Sequence, residues 1–206
     1  MAFPDHSFKN ASDFAQAYFN ELAIAGRSID GVALDAATVL LGNAYNQDAT
    51  VYVCGNGGSA SISNHLVCDH LKGIQTDTGI RPRVVSLSSN LEIITAIAND
   101  ISYDDIFVYQ LSTMAQINDV LITISSSGNS ENIVRAVEWA KANNCRVISM
   151  TGFDGGRSSN LADINLHVHS NNYGIIEDTH QSLMHILAQY LRLKHMDSKL
   201  AKERNF

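Results

Sequence analysis

The sequence predicts an α/β protein in which a five-stranded parallel sheet carries helices on both faces and is preceded by a helical pair. Three observations carry that prediction. From residue 50 onward, short β-branched runs alternate with helical patterns, the order expected of a parallel sheet wound by crossover helices. Ahead of them, apolar residues recur every three or four positions in two successive stretches. Finally, 206 residues with 45% hydrophobic and 17% charged side chains suit one sizeable core rather than a disordered chain.

The first helix presents Phe14, Tyr18, Leu22, Ala25 and Ile29 on one face. Gly31 is read as the break, after which Leu34, Thr38, Leu41 and Tyr45 continue a second helix. This hairpin, about residues 7–48, must bury its stripe either on its own domain or in a subunit interface, and both remain open. The strands follow at 50–54, 83–87, 119–124, 146–150 and 164–168, with helical patterns at about 59–72, 91–99, 103–116, 130–143 and 175–195. No linker or repeat divides the chain, so residues 1–206 are expected to form a single domain with its core in 50–206.

Composition narrows the function. Fourteen basic against twenty-one acidic side chains leave a net charge of −7, which argues against nucleic acid or an anionic membrane as partner. A small anion held by backbone N–H groups is not excluded. Three cysteines, Cys54, Cys68 and Cys145, form no disulfide framework, and Cys68 is expected to be a small buried residue. Residues 1–10 lack the features of a signal peptide and no apolar run reaches the ~18 residues of a membrane span, so a cytoplasmic protein is expected.

In a parallel sheet, ligands sit beyond the carboxyl ends of the strands, so the strand-to-helix turns are where chemistry belongs. The first such turn, Cys54-Gly-Asn-Gly-Gly-Ser-Ala60, lets the backbone approach a ligand, and Ser59 is placed to cap the next helix. It lacks the Lys of a Walker A loop. The second, Ser125-Ser-Ser-Gly-Asn-Ser130, puts four hydroxyls at a helix N-terminus, a neutral cradle for phosphate. His65 and Asp69, four apart, share a helix face and can grip one metal ion, although a polar face with an incidental pair is the simpler reading of spacing alone. His70 points about 100° further round. Glu177 and His180 can share a face of the last helix. His185 lies about 12 Å beyond Glu177, so those two meet only at an ion between them or across a subunit boundary. Hydrogen-bonded histidines in a packed interface explain that helix equally well. Trp139 reads as packing, and His167 and His169 as surface.

Taken in order, these motifs resemble the SIS (sugar isomerase) domain and, within it, the phosphoheptose isomerases. The likeness runs through the helical pair, Gly55–Ser59, His65, Ala98-Asn-Asp100, Ser125–Ser130, Thr151–Gly156 and Glu177…His180…His185. The resemblance implies a three-layer αβα sandwich, a homotetramer with sites at subunit interfaces, and one zinc ion per site. It implies substrate contacts from Asn56, Gly57, Gly58, Ser59, Asn99, Asp100 and Glu177. Ser125, Ser126, Ser127 and Ser130 would hold phosphate. The zinc ligands it implies are His65, Asp69, Glu177 and His185, with Asp69 and His185 as the acid/base pair. Two positions depart from the family pattern: Asp69 stands where the family has Glu, and Glu177 where it has Gln. The implied activity is isomerisation of sedoheptulose 7-phosphate to D-glycero-D-manno-heptose 7-phosphate for bacterial surface polysaccharide. Two non-catalytic alternatives are an interaction module similar to the replication regulator that binds the DnaA initiator, which the run Leu91–Asp100 resembles, and a sugar-phosphate sensor.

Overall fold

A computed structural model describes residues 3–206; Met1 and Ala2, part of the stretch read as lacking a signal peptide, lie outside it. Helix α1 spans Ala11–Arg27 and α2 Gly31–Asn46, capped by the side chains of Asn10 and Asp30, which accept from the N–H groups of Asp13 and Val32. Gly31 therefore opens α2 rather than breaking the pattern. The break is Ser28–Asp30, where the Ser28 hydroxyl donates to the Ala25 carbonyl and Asp30 caps the next helix. Ile29 falls in this linker and still packs on the core.

Strands β1 (Thr50–Gly55), β2 (Arg83–Ser86), β3 (Val120–Ser125), β4 (Arg146–Thr151) and β5 (Ile164–His167) form one parallel sheet in the order β2-β1-β3-β4-β5. The crossovers are α3 (Gly58–Cys68), α4 (Leu91–Asp100), α5 (Ile106–Met114), α6 (Glu131–Ala142) and α7 (Gly156–Leu161), and α8 (Tyr173–His195) closes the fold. Two elements depart from the expected pattern. The helix expected from 103 begins as a 3₁₀ turn, Tyr103–Asp105, and α7 has no expected counterpart. A six-residue Gly-Arg-Ser-Ser-Asn-Leu helix carries no apolar stripe to betray it.

Strand alternation divides the core in two. Val51, Val53, Ile122, Ile124, Ile148 and Met150 face a cluster completed by α2, α3 and α8, including Leu41, Leu66, Leu183, Met184 and Leu187. Tyr52, Cys54, Leu121 and Val147 face the other, with Phe107, Leu111, Ile133 and Val137 from α5 and α6. Trp139 packs at the edge of this second cluster, half-buried as expected. The hairpin thus buries Leu41, Ala44 and Tyr45 on its own domain, yet Phe19, Ile24, Val32 and Val39 stay exposed on its outer side.

Two side chains differ from their expected settings, and a third, His70, carried no expectation of burial. Cys68 is exposed, because the apolar face of α3 is carried by Ile62 and Leu66. His167 is half-buried and bonds through Nδ1 to the Thr151 hydroxyl at 3.0 Å, and burial lowers its pKa. His70 is fully buried beside Tyr45, whose hydroxyl it meets through Nδ1, and burial holds its pKa down at about 4.

His180 on α8 is also buried, with Nε2–H donating to the Thr151 carbonyl at 3.1 Å, and desolvation lowers its pKa from 6.5 to about 4. Below 6.5 the unfolded chain takes up a proton that the folded chain refuses, so stability falls as pH drops from 6.5 towards 4. Urea midpoints across this window are expected to decline in the wild type and to decline less steeply in His180→Gln, which keeps an N–H donor without titrating, the remaining slope belonging to His70. Parallel slopes for the two proteins would show that His180 is not the group responsible.

Candidate active site

The strand order reverses between β1 and β3: β2 lies beyond β1 on one side, and β3 leads to β4 and β5 on the other. The crevice beyond the carboxyl ends of these two strands is the natural ligand position in such a sheet. Gly55 pairs with Ile124 across it, so the glycine turn and the serine loop leave the sheet side by side.

Between them lies a cavity of about 150 Å³, lined by Asn56, Ser59, Ile124, Ser125, Ser126, Ser127, Ser130, Tyr173 and Glu177. The Ser126 hydroxyl is buried there with no hydrogen-bond partner, and Ser130 stands at the N-cap of α6 with its hydroxyl uncommitted to the helix. Ser125 and Ser127 accept from the backbone N–H groups of Gly128 and Asn129, which holds the loop in shape. Spare hydroxyls at a twelve-residue helix's positive end make a site for an anion bound by neutral donors. Glu177 is the one charged residue in the lining.

Ser59 is buried inside the first turn of α3 and caps nothing; Gly57, with φ of 55°, occupies the N-cap position without a side-chain bond. The steep glycine turn, not a hydroxyl, starts this helix. Asn56 is fixed by a reciprocal amide pair with buried Asn132, at 2.9 and 3.1 Å, and by the Tyr103 hydroxyl at 3.0 Å. A Cβ on Gly58 would come within 2.9 Å of the Glu177 carboxylate, so the bare glycine makes room for that side chain.

Further along α3 and α8 lies a second group. His65, Asp69 and His185 each offer a ligand atom, all within 4.8 Å of one another. Asp69 links them: its Oδ2 accepts from His185 Nδ1 at 2.6 Å, and its Oδ1 lies 3.5 Å from His65 Nε2. The α3 helix widens into a π-helical segment, Asp69–Ile74, at this residue. Such a widening is common at functional sites and changes the angle at which Asp69 leaves the helix. Two imidazoles and a carboxylate are the donor set of a catalytic zinc site with an open position, so these residues fit that ion.

The SIS-domain sequence pattern matches residues 18–152. The phosphoheptose isomerase of Colwellia psychrerythraea is 34% identical over 185 residues, covering 88% of this chain and 91% of that protein. That of Helicobacter pylori is 36% identical over 163 residues, covering 78% and 84%. The chain belongs to the phosphoheptose isomerase family of SIS-domain proteins. The solved structure of the phosphoheptose isomerase from Neisseria gonorrhoeae superposes with a TM-score of 0.81 at 28% identity, covering 88% of this chain and 98% of that one. The three-layer αβα fold is therefore that of the phosphoheptose isomerases, and the protein is an isomerase by family.

Against that family pattern, the structure gathers His65, Asp69 and His185 but leaves Glu177 outside their group, two helical turns earlier on α8 and facing the serine cavity. Asn99 and Asp100 end α4 on the exposed surface, bonded to each other at 2.7 Å and apart from the serine cavity within one chain. Gly57 and Gly58 form the turn beside the cavity. Tyr173, Asn132 and Gln181 are additional site residues that sequence reasoning passed over. Nothing in their type or spacing marked the first two. Gln181 lies four residues from both Glu177 and His185, a helical spacing that was there to be read.

Proposed function

We propose that the protein is a metal-assisted ketose–aldose isomerase converting sedoheptulose 7-phosphate to D-glycero-D-manno-heptose 7-phosphate, which feeds bacterial surface heptose. The carrying observation is that the serine cavity and the His65–Asp69–His185 group share the same two helices. Ser59 and His65 lie on α3 and Asp69 begins its π-helical continuation, and Tyr173–Glu177 and His185 lie on α8. Glu177 and His185 are about 12 Å apart along the helix axis, a separation suited to an open-chain sugar phosphate rather than to phosphate alone.

In this reading Ser125, Ser126, Ser127 and Ser130 bind the phosphate, and the turn at Asn56, Gly57 and Gly58 orients the chain. Zinc, held by His65, Asp69 and His185, would act as a Lewis acid towards the substrate oxygen. Asp69 and His185 form the acid/base couple. Removing the C1 proton moves its electron pair into a C1–C2 double bond and the carbonyl pair onto O2. Returning a proton to C2, while the O1 proton passes to O2, completes the aldose. The carboxylate and the imidazole stand 2.6 Å apart, close enough for both to serve the same pair of reacting carbons. The reading extends to a homotetramer, supported by the apolar Phe19, Ile24, Val32 and Val39 left exposed on the hairpin. It places Asn99 and Asp100 at the site of a neighbouring subunit.

The test is to incubate the protein with sedoheptulose 7-phosphate in D₂O and follow the C1 and C2 protons by NMR, with and without chelator. Aldose carrying solvent deuterium at C2, lost on chelation and restored by zinc, is the expected result. Saturable binding without turnover would replace the isomerase with a sensor, and neither binding nor turnover would favour the interaction module.

A further inference from the structure

Gln181 stands between the two histidines of the proposed metal centre. Its amide nitrogen lies 3.0 Å from His65 Nδ1 and 3.0 Å from His185 Nε2. The opposite nitrogens of the same rings face Asp69, His65 Nε2 at 3.5 Å and His185 Nδ1 at 2.6 Å. For neutral rings, bonding capacity leaves one consistent pattern. The Asp69 carboxylate only accepts, so His185 Nδ1 carries the proton. The Gln181 NH₂ therefore faces the His185 Nε2 lone pair, and its second hydrogen places a lone pair on His65 Nδ1 and the proton on His65 Nε2. The nitrogens that face Gln181 are then lone pairs, and one NH₂ group has a hydrogen for each.

We propose that Gln181 is the positioning residue of this centre: it sets the tautomers of His65 and His185, and turns its amide over when an ion binds. The proposal rests on the metal-assisted reading above. Ligation beside Asp69 needs the ring lone pairs on that side. Each imidazole then moves its single proton to its other nitrogen by exchange with water, with no net gain or loss. Both N–H groups now face Gln181. A half-turn of the amide plane exchanges Oε1 for Nε2, and the carbonyl oxygen, with two lone pairs, accepts from both. An outer partner of this kind holds a ligating ring in orientation and raises its basicity. Gln181 thus holds the same two rings with or without the ion.

Long-range ¹H–¹⁵N spectra of histidine-labelled protein report which ring nitrogen bears the proton, and are recorded well above the ordinary histidine pKa of about 6.5. Metal-free wild type is expected to show His65 protonated on Nε2 and His185 on Nδ1, with both reversed by zinc. Gln181→Leu is expected to show mixed tautomers without metal and to bind zinc about 10–100-fold more weakly. Its visible spectrum at saturating cobalt is expected to match wild type, because the ligands themselves are unchanged. Gln181→Glu, which accepts but cannot donate, puts acceptors on both sides of each ring and is expected to lose the single metal-free tautomer pattern of the wild type, and serves if the leucine variant fails to fold. Wild-type tautomers and zinc affinity in Gln181→Leu would overturn the proposal. So would an altered cobalt spectrum, which would make Gln181 a ligand. If wild type binds neither ion, the metal reading fails on its own, and the metal-free tautomers still decide whether Gln181 sets the rings.

Discussion

Asp69→Asn is expected to lower kcat for heptose phosphate isomerisation by about 10²–10⁴-fold, the usual contribution of a positioned acid or base. Asparagine matches aspartate in size and can still bond to His185, but it cannot take up a proton. The carboxylate also supplies the only negative charge in the three-residue group, so the variant is expected to hold zinc less tightly. The fold does not depend on it: the Asp69 side chain is 21% exposed and lies outside both core clusters. Circular dichroism and urea midpoints close to wild type should accompany the loss of rate. Saturating zinc separates the two contributions, because it restores occupancy but not proton transfer. A zinc-loaded variant with wild-type kcat would remove Asp69 from the proton-carrying step.

Gly128→Ala is expected to disrupt the serine loop and the stability of the domain together. Gly128 has φ of +63°, and a Cβ there would lie 2.0 Å from the Gly155 carbonyl oxygen and 3.0 Å from the Ser158 hydroxyl. A left-handed L-residue costs about 1–2 kcal/mol, and overpacking adds about 1–3 kcal/mol. The obstruction is backbone rather than a side chain that could swing away. The two loops are also hydrogen-bonded to each other: Ser158 N–H donates to the Gly128 carbonyl and Gly152 N–H to that of Ser126. Relief must therefore come from moving the serine loop itself. The expected result is destabilisation on the order of 3 kcal/mol in urea, with a KM for sugar phosphate raised at least about tenfold, a loss of 1.4 kcal/mol in binding. A variant with wild-type stability and KM would show that this close approach is not required.

Much of this architecture could be read from residue pattern. The strands lie close to where β-branched runs placed them, because a central parallel strand buried on both faces tolerates little else: all six residues of β3, Val120–Ser125, are buried. The serine loop was legible for a similar reason, as a dense polar run directly after the most apolar strand. What escaped were features whose cause lies in another element. His70 is buried because Tyr45, twenty-five residues earlier, reaches it. Asn132 matters because Asn56 sits opposite, and its place inside α6 resembles that of any polar helical residue. The π-helical widening at Asp69 leaves no trace in composition. Glu177 and His185 share a helix face, and their separation alone could not say whether an ion or another group lay between them. The structure puts Gln181 there.

The long helix α8 gives these parts a common scale. Tyr173 and Glu177 stand at the serine cavity, and Gln181 and His185 at the metal group, all on one unbroken stretch of helix. A helix stretches very little, so the interval between the phosphate anchor and the reacting carbonyl acts as a ruler. On the proposed reading, selectivity among sugar phosphates is set by counting carbons. A ketose phosphate one carbon shorter, gripped at the serine end, presents its carbonyl short of Asp69 and His185. One carbon longer, and the carbonyl overshoots them. Such substrates would still bind through their phosphates, so the discrimination would be felt in kcat more than in KM, because the anchor is satisfied while the chemistry is displaced.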